Sequence, residues 1–149
     1  MKLSTKGRYG VKAMFDLALH YGDGPIPLKN VAERQGISEP YLEQLISVLR
    51  KSGLVKSVRG AQGGYLLNME PSQITVGDIL KVLEGPVAPT ECVIEDEPVE
   101  CVKADYCVTR IIWEKVRDSI NEVIDSITLQ DMLEDYKKIN ANNAYMYYI

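Results

Sequence analysis

Residues 28–67 read LKNVAERQGISEPYLEQLISVLRKSGLVKSVRGAQGGYLL, and the punctuation of this stretch decides the fold. Leu28, Val31 and Ala32 fall on one face of a short helix over residues 28–35. Gly36-Ile37-Ser38 forms a tight turn, and Ser38 is a suitable N-cap for a helix over 39–52, with Pro40 tolerated in its first turn. Leu42, Leu45, Ile46 and Leu49 give that helix an apolar stripe at steps of three and four, and Gly53 ends it. The pattern then changes. Leu54–Val58 and Tyr65–Leu67 read as short strands joined by the glycine-rich tip Arg59-Gly60-Ala61-Gln62-Gly63-Gly64. Two helices joined by a glycine turn and followed by a hairpin make a winged helix-turn-helix. The expected fold class is mainly α with a small β-hairpin wing, extended by a long dimerisation helix.

Upstream, Val11, Met14, Phe15, Ala18 and Leu19 predict a helix over 5–21, stopped by Gly22-Asp23-Gly24-Pro25. Downstream, Thr75 with Asp78 three residues on predicts a capped helix reaching Glu84. Pro86, Pro89, Pro98 and many acidic residues mark 85–106 as a loop. A long helix is expected over about 107–126, with Val108, Ile112, Val116, Ile120, Val123 and Ile127 along one side. So long a stripe exceeds what a small domain can cover, so pairing with the same helix of a second subunit is expected. A last helix over 128–139 precedes polar Asn140–Asn143 and an aromatic tail, Tyr145-Met146-Tyr147-Tyr148-Ile149. The expected organisation is a DNA-binding domain over 1–84, a cysteine-containing cluster-binding loop over 85–107, and a dimerisation helix with C-terminal tail over 108–149.

Charge supports a polyanion partner. Residues 1–68 carry a net +5, whereas 69–149 carry a net −9. The third helix would enter a major groove by its N-terminal end, presenting Ser38, Tyr41, Glu43 and Gln44. Glutamine can read adenine and glutamate can accept from a cytosine amino group. Arg59, flanked by small residues and followed by Gln62, suits a minor groove, and Lys2, Lys6 and Arg8 can meet phosphates. The sequence holds no apolar run long enough to span a membrane, no secretory h-region, and no base–nucleophile constellation. A cytoplasmic protein that is not an enzyme is expected.

Cys92, Cys101 and Cys107 are the only cysteines, and all three lie in or at the edge of the acidic loop. No C-x-x-C pair exists, which disfavours a zinc ribbon. A metal or iron–sulfur centre, thiol redox sensing and inert thiols all remain open on chemistry alone.

Three motifs carry a resemblance: MKLSTKGRYG at 1–10, YLEQL at 41–45 and VRGAQGGY at 58–65. Over about residues 1–135 the chain resembles the Rrf-two family of bacterial winged-helix regulators, in particular its iron–sulfur cluster regulators. The resemblance implies a homodimer on pseudo-palindromic double-stranded operators, with base contacts from Glu43 and Gln44 and a minor-groove contact from Arg59. It also implies a labile 2Fe–2S cluster in each subunit, held by Cys92, Cys101 and Cys107, that controls binding at genes of cluster biogenesis. Three positions depart from the family pattern. Pro40 replaces a residue that often carries a hydroxyl, Arg110 stands where a histidine ligand is usual, and Arg8 stands where nitric-oxide-sensing relatives place an acidic ligand. The fourth ligand is unassigned, with Glu91, Glu100 and Asp105 the carboxylates at hand, and the lone His20 is expected to be structural. The tail at 144–149 resembles that of the family's cysteine-metabolism repressors, which act with cysteine synthase and need no cluster. That likeness supplies a second functional reading.

Overall fold

In the computed structural model, which describes residues 2–148 and side chains as far as residue 143, the chain forms six helices and one hairpin. The order is α1 (Thr5–Leu19), α2 (Leu28–Gln35), α3 (Glu39–Lys51), β1 (Val55–Val58), β2 (Gly64–Leu67), α4 (Val76–Glu84), α5 (Val108–Ser126) and α6 (Leu129–Tyr148). Single 3-10 turns occur at Pro71–Gln73, Glu91–Val93 and Ala104–Tyr106. The winged helix-turn-helix and the mainly helical class are as expected from the sequence.

Local chemistry sets the boundaries. Ser4 caps α1, its hydroxyl accepting from the Gly7 N–H. Gly36 ends α2 in the left-handed region at φ 65°, a conformation that costs other residues and makes the turn into α3 tight. Ser38 occupies the N-cap position of α3 with extended backbone, but its side chain makes no capping bond, contrary to its expected role. Thr75 and Asp78 form a reciprocal capping box on α4. A second box, Thr128 with Asp131, starts α6. The two starts are tied together: the Val76 N–H donates to the Ile127 carbonyl at 2.8 Å, and the Leu129 N–H to Ile74 at 2.9 Å.

The hairpin is antiparallel, with Val55 opposite Leu67 and Val58 opposite Gly64. Its second strand is fastened to the segment before α2, where Ile26 and Tyr65 exchange two backbone bonds of 2.9 and 2.8 Å. The wing is therefore anchored on both sides of the helix-turn-helix.

A single core holds these elements. Met14, Leu17, Val31, Leu42, Ile46, Leu49, Val55, Ile74, Ile79 and Leu129 are all essentially fully buried, so α6 belongs to the same core as α1–α4. The buried face of α1 differs from the expected stripe. Gly7, Gly10, Ala13, Asp16 and Leu17 turn inward beside Met14 and Ala18, while Val11, Phe15 and Leu19 are only half-buried. Two partners explain the rotation. Gly7 and Gly10 let α4 approach so closely that a Cβ on either would overlap Glu84 or Leu83. Asp16, 1% exposed, is satisfied by a bidentate pair of bonds from Arg34 (3.0 and 2.8 Å) and a third from Gln35 (3.0 Å). That bonding raises the Arg34 pKa, against the opposing effect of burial. It pins the end of α2 to α1 directly before the turn into α3.

Two further differences concern the back half. The last helix runs to Tyr148 rather than 139. Asparagine costs only a few tenths of a kcal/mol in a helix, roughly 0.7 at most, and extending an existing helix across Asn140–Asn143 needs no new nucleus. Ile149 and the aromatic side chains of the tail lie outside the described residues. The long α5 contains no buried residue: Val108, Ile112 and Val123 are 75%, 49% and 55% exposed. Among the described residues, no helix is long and apolar enough to cross a membrane.

Candidate nucleic-acid interface and thiol loop

The core-facing stripe of α3 fixes which of its residues look outward. With Leu42, Leu45, Ile46 and Leu49 buried, Ser38, Glu43 and Gln44 are exposed near the N-terminal end of the helix, with Arg50 and Lys51 exposed at its other end. Tyr41 is half-buried because its ring meets Tyr9 edge-on, centroids 6.1 Å apart. That contact fixes Tyr41 against α1, and Lys12 lies 5.5 Å over the other aromatic ring of the pair. At the wing tip, Arg59 and Gln62 are exposed on either side of Gly60, whose carbonyl accepts from Gly63. Lys2, Lys6 and Arg8 are exposed at the start of α1. A shallow hollow lined by Lys2, Lys6, Tyr41 and Glu84 connects this start with α3 and the end of α4. The candidate residues are thus free to reach a groove or a backbone, and no ion pair among the described residues involves Lys2, Lys6, Arg8, Arg50, Lys51 or Arg59.

One contact here was not legible in the sequence. The Ser4 N–H donates to Glu84 Oε1 at 2.7 Å, and the Ser4 hydroxyl donates to the same oxygen. Glu84 is the last residue of α4, immediately ahead of the cysteine loop. It joins positions 80 apart, and no local pattern signals such a link.

The three thiols are free and differ in setting. Cys92 sits half-buried in the Glu91–Val93 turn, with the Thr90 hydroxyl 3.1 Å from its sulfur. Cys101 is exposed. Cys107 occupies the N-cap position of α5, its sulfur 3.2 Å from the Thr109 hydroxyl. The Thr109 hydroxyl, then the Arg110 backbone N–H, and less strongly the Arg110 charge, hold the Cys107 thiol below the ordinary thiol range.

Cys92 and Cys101 line one cavity of about 460 Å³ together with Glu100 and Arg110. Cys107 lines an adjoining hollow of about 390 Å³ with Asp105 and, again, Arg110. Arg110 lines both hollows. Its Nε lies 3.3 Å from Glu114, near enough for an ion pair but not aligned as a hydrogen bond, so that buried nitrogen lacks an acceptor. In donor type, three thiols suit an iron–sulfur centre. In arrangement they do not: no three Cys, His, Asp or Glu side chains among the described residues converge on a point that could take a metal ion, and a guanidinium cannot ligate. His20 lies apart from this region, its Nδ1 2.9 Å from the Asp16 carbonyl oxygen, in keeping with a structural role.

Comparison with known proteins places these features in a lineage. Residues 3–135 match the Rrf2 family, described as an iron-dependent transcriptional regulator. The transcriptional regulator CymR of Bacillus subtilis is 50% identical over 149 residues, the whole of both chains. The solved structure of T. potens IscR is 60% identical, with a TM-score of 0.78 over 93% of this chain and 90% of that one. The structure of CymR, the global cysteine regulator of B. subtilis, is 52% identical, with a TM-score of 0.74 over 89% and 95%.

Proposed function

The chain belongs to the Rrf2 family and is a DNA-binding transcriptional regulator rather than an enzyme, and on that premise we propose that it acts as a homodimer on a pseudo-palindromic operator. The observation that carries this is the pairing of an exposed winged helix with a long amphipathic helix of which no residue is fully buried on its own chain. Two copies joined along α5 would hold two α3 helices at a fixed spacing, which is what an inverted repeat requires. In this reading Gln44 and Glu43 meet base edges, with Glu43 acting mainly against wrong bases, and Ser38 and Tyr41 line the same approach. Arg59 and Gln62 serve the minor groove, and Lys2, Lys6 and Arg8 position the phosphates. The segment to residue 84 then reads DNA, 85–107 receives the signal, and 108–149 joins the subunits.

For the signal, the identity to CymR along the full length of both chains favours a regulator of cysteine metabolism that works without a cluster, with cysteine synthase as the partner of its tail. The division of the thiols between two hollows, with no metal-holding group among the described residues, agrees with that reading. A second reading has its own support: three loop cysteines, and 60% identity to T. potens IscR. There a 2Fe–2S cluster would use Cys92, Cys101 and Cys107, and the loop would have to close around it. Anaerobic purification followed by visible spectroscopy and iron analysis separates the two. Colourless, iron-free protein that binds cysteine synthase supports the first, and about one cluster per chain, lost in the triple Cys→Ala variant, supports the second.

A further inference from the structure

We infer that Glu84 is a positioning residue for DNA binding: a carboxylate from α4 that completes the N-terminal cap of α1 and ties the start of that helix to the head of the cysteine loop. This role rests on the reading above, in which Lys2, Lys6 and Arg8 meet phosphates. A capping box needs two bonds. The N-cap hydroxyl accepts from the N–H three residues on, and the side chain at that third position accepts the N–H of the cap. Thr75 with Asp78 and Thr128 with Asp131 make both bonds locally. At α1 the first bond is present, from the Gly7 N–H to the Ser4 hydroxyl oxygen at 3.4 Å. The second cannot be local, because Gly7 has no side chain. Glu84 Oε1 takes that place from another helix, accepting from the Ser4 N–H at 2.7 Å and from the Ser4 hydroxyl as well. Gly7 is also what admits it, since a Cβ at position 7 would lie 2.5 Å from the same oxygen.

A carboxylate is an unexpected group in these surroundings. Glu84 lines the hollow it shares with Lys2, Lys6 and Tyr41, on the side assigned to phosphate. A negative charge there repels a polyanion, and among the described residues Glu84 forms no ion pair with either lysine. Its bonds to Ser4 give it a different role, as the acceptor that fixes where α1 begins. They also make that beginning conditional on the end of α4. Glu84 is the last residue of α4, and Gly85 follows at φ 81° and ψ −159°, a conformation essentially restricted to glycine, as the chain enters the loop. A shift of the loop head therefore reaches Ser4 through one carboxylate oxygen, and with Ser4 move Lys2 and Lys6, two residues to either side.

The test uses the full chain and a duplex enriched from a random-sequence library, with binding read by anisotropy across a salt series and thermal melts as the control for folding. Glu84→Leu removes the acceptor. It should weaken binding about fivefold or more and lower the slope of log affinity against log salt by about one. Glu84→Gln keeps the acceptor and removes the charge, so it should bind at least as tightly as the native chain. Ser4→Ala, at an exposed position, should shift binding in the same direction as Glu84→Leu by a smaller factor. The loss should be confined to the start of α1. Lys6→Ala and Arg8→Ala should weaken the native chain and add little to Glu84→Leu, whereas Arg59→Ala should cost the same factor in both. Gly85→Ala, whose added Cβ meets nothing within 4 Å, should weaken the native chain and have no further effect beside Glu84→Leu. The inference is overturned if Glu84→Leu binds as tightly as the native chain, or if Glu84→Gln loses as much as Glu84→Leu. It is equally overturned if Lys6→Ala and Arg8→Ala cost the same in both backgrounds, or if Gly85→Ala acts alike in both. If neither Lys6→Ala nor Arg8→Ala weakens the native chain, the phosphate reading itself fails and the inference falls with it.

Discussion

The winged helix and the segment behind it invest their apolar side chains in different places. In α3 every residue of the stripe is buried within its own chain, with Leu42 and Leu49 at 0% exposure. In α5, a longer helix with an equally regular stripe, none is. Between them, Val93 alone anchors the cysteine loop in the interior. The front half therefore shares one core with the start of α6, whereas the exposed side of α5 depends on what it meets. In a regulator these two halves correspond to a rigid reader and a surface whose state can be changed from outside.

The largest expected effects break the front half. Leu49→Ala should cost about 2–5 kcal/mol in chemical denaturation. Asp16→Ala removes three bonds to a buried carboxylate but leaves Arg34 partly open to water, and should cost about 1.5–3 kcal/mol by the same measurement. On α5, Ile112→Ala should change the stability of the dissociated chain by only about 0.5 kcal/mol, yet Ile112→Asp should abolish self-association in sedimentation. A fall of several kcal/mol for Ile112→Ala in the monomer would mean that α5 packs on its own domain after all.

DNA binding offers a middle-sized test. Arg59→Ala should weaken operator binding about tenfold and lower the slope of log affinity against log salt by about one, as measured by anisotropy. The smallest effect concerns Cys107. With its thiol held low by Thr109 and Arg110, alkylation at neutral pH should be faster than in Thr109→Val, and its rate profile should move to higher pH in that variant. The sign for stability follows: the thiolate's contribution is present above the ordinary thiol pKa and disappears as pH falls through the lowered one.

Much of the reader was visible in the sequence because its signals are local. The stripe of α3, the Gly36 turn, the glycine-rich wing and the Thr75–Asp78 box each lie within a few residues. The buried face of α1 departs from its apolar periodicity because a charged residue, Asp16, turns inward to meet Arg34, 18 positions away. The same distance effect hid the bond between Ser4 and Glu84. The Thr128–Asp131 box is local and could have been read from its spacing. For the candidate site, the exposed set on α3 and the wing followed from periodicity, whereas the division of the thiols between two hollows depends on how the loop folds between two helices.

The most direct test of the two-part account is selection of duplexes from a random library by the full-length protein, followed by sedimentation of the complex. The account predicts enrichment of two inverted half-sites about one helical turn apart, bound by two chains per duplex, with both features lost in Ile112→Asp. Enrichment of a lone half-site bound by one chain, or unchanged pairing in that variant, would contradict it.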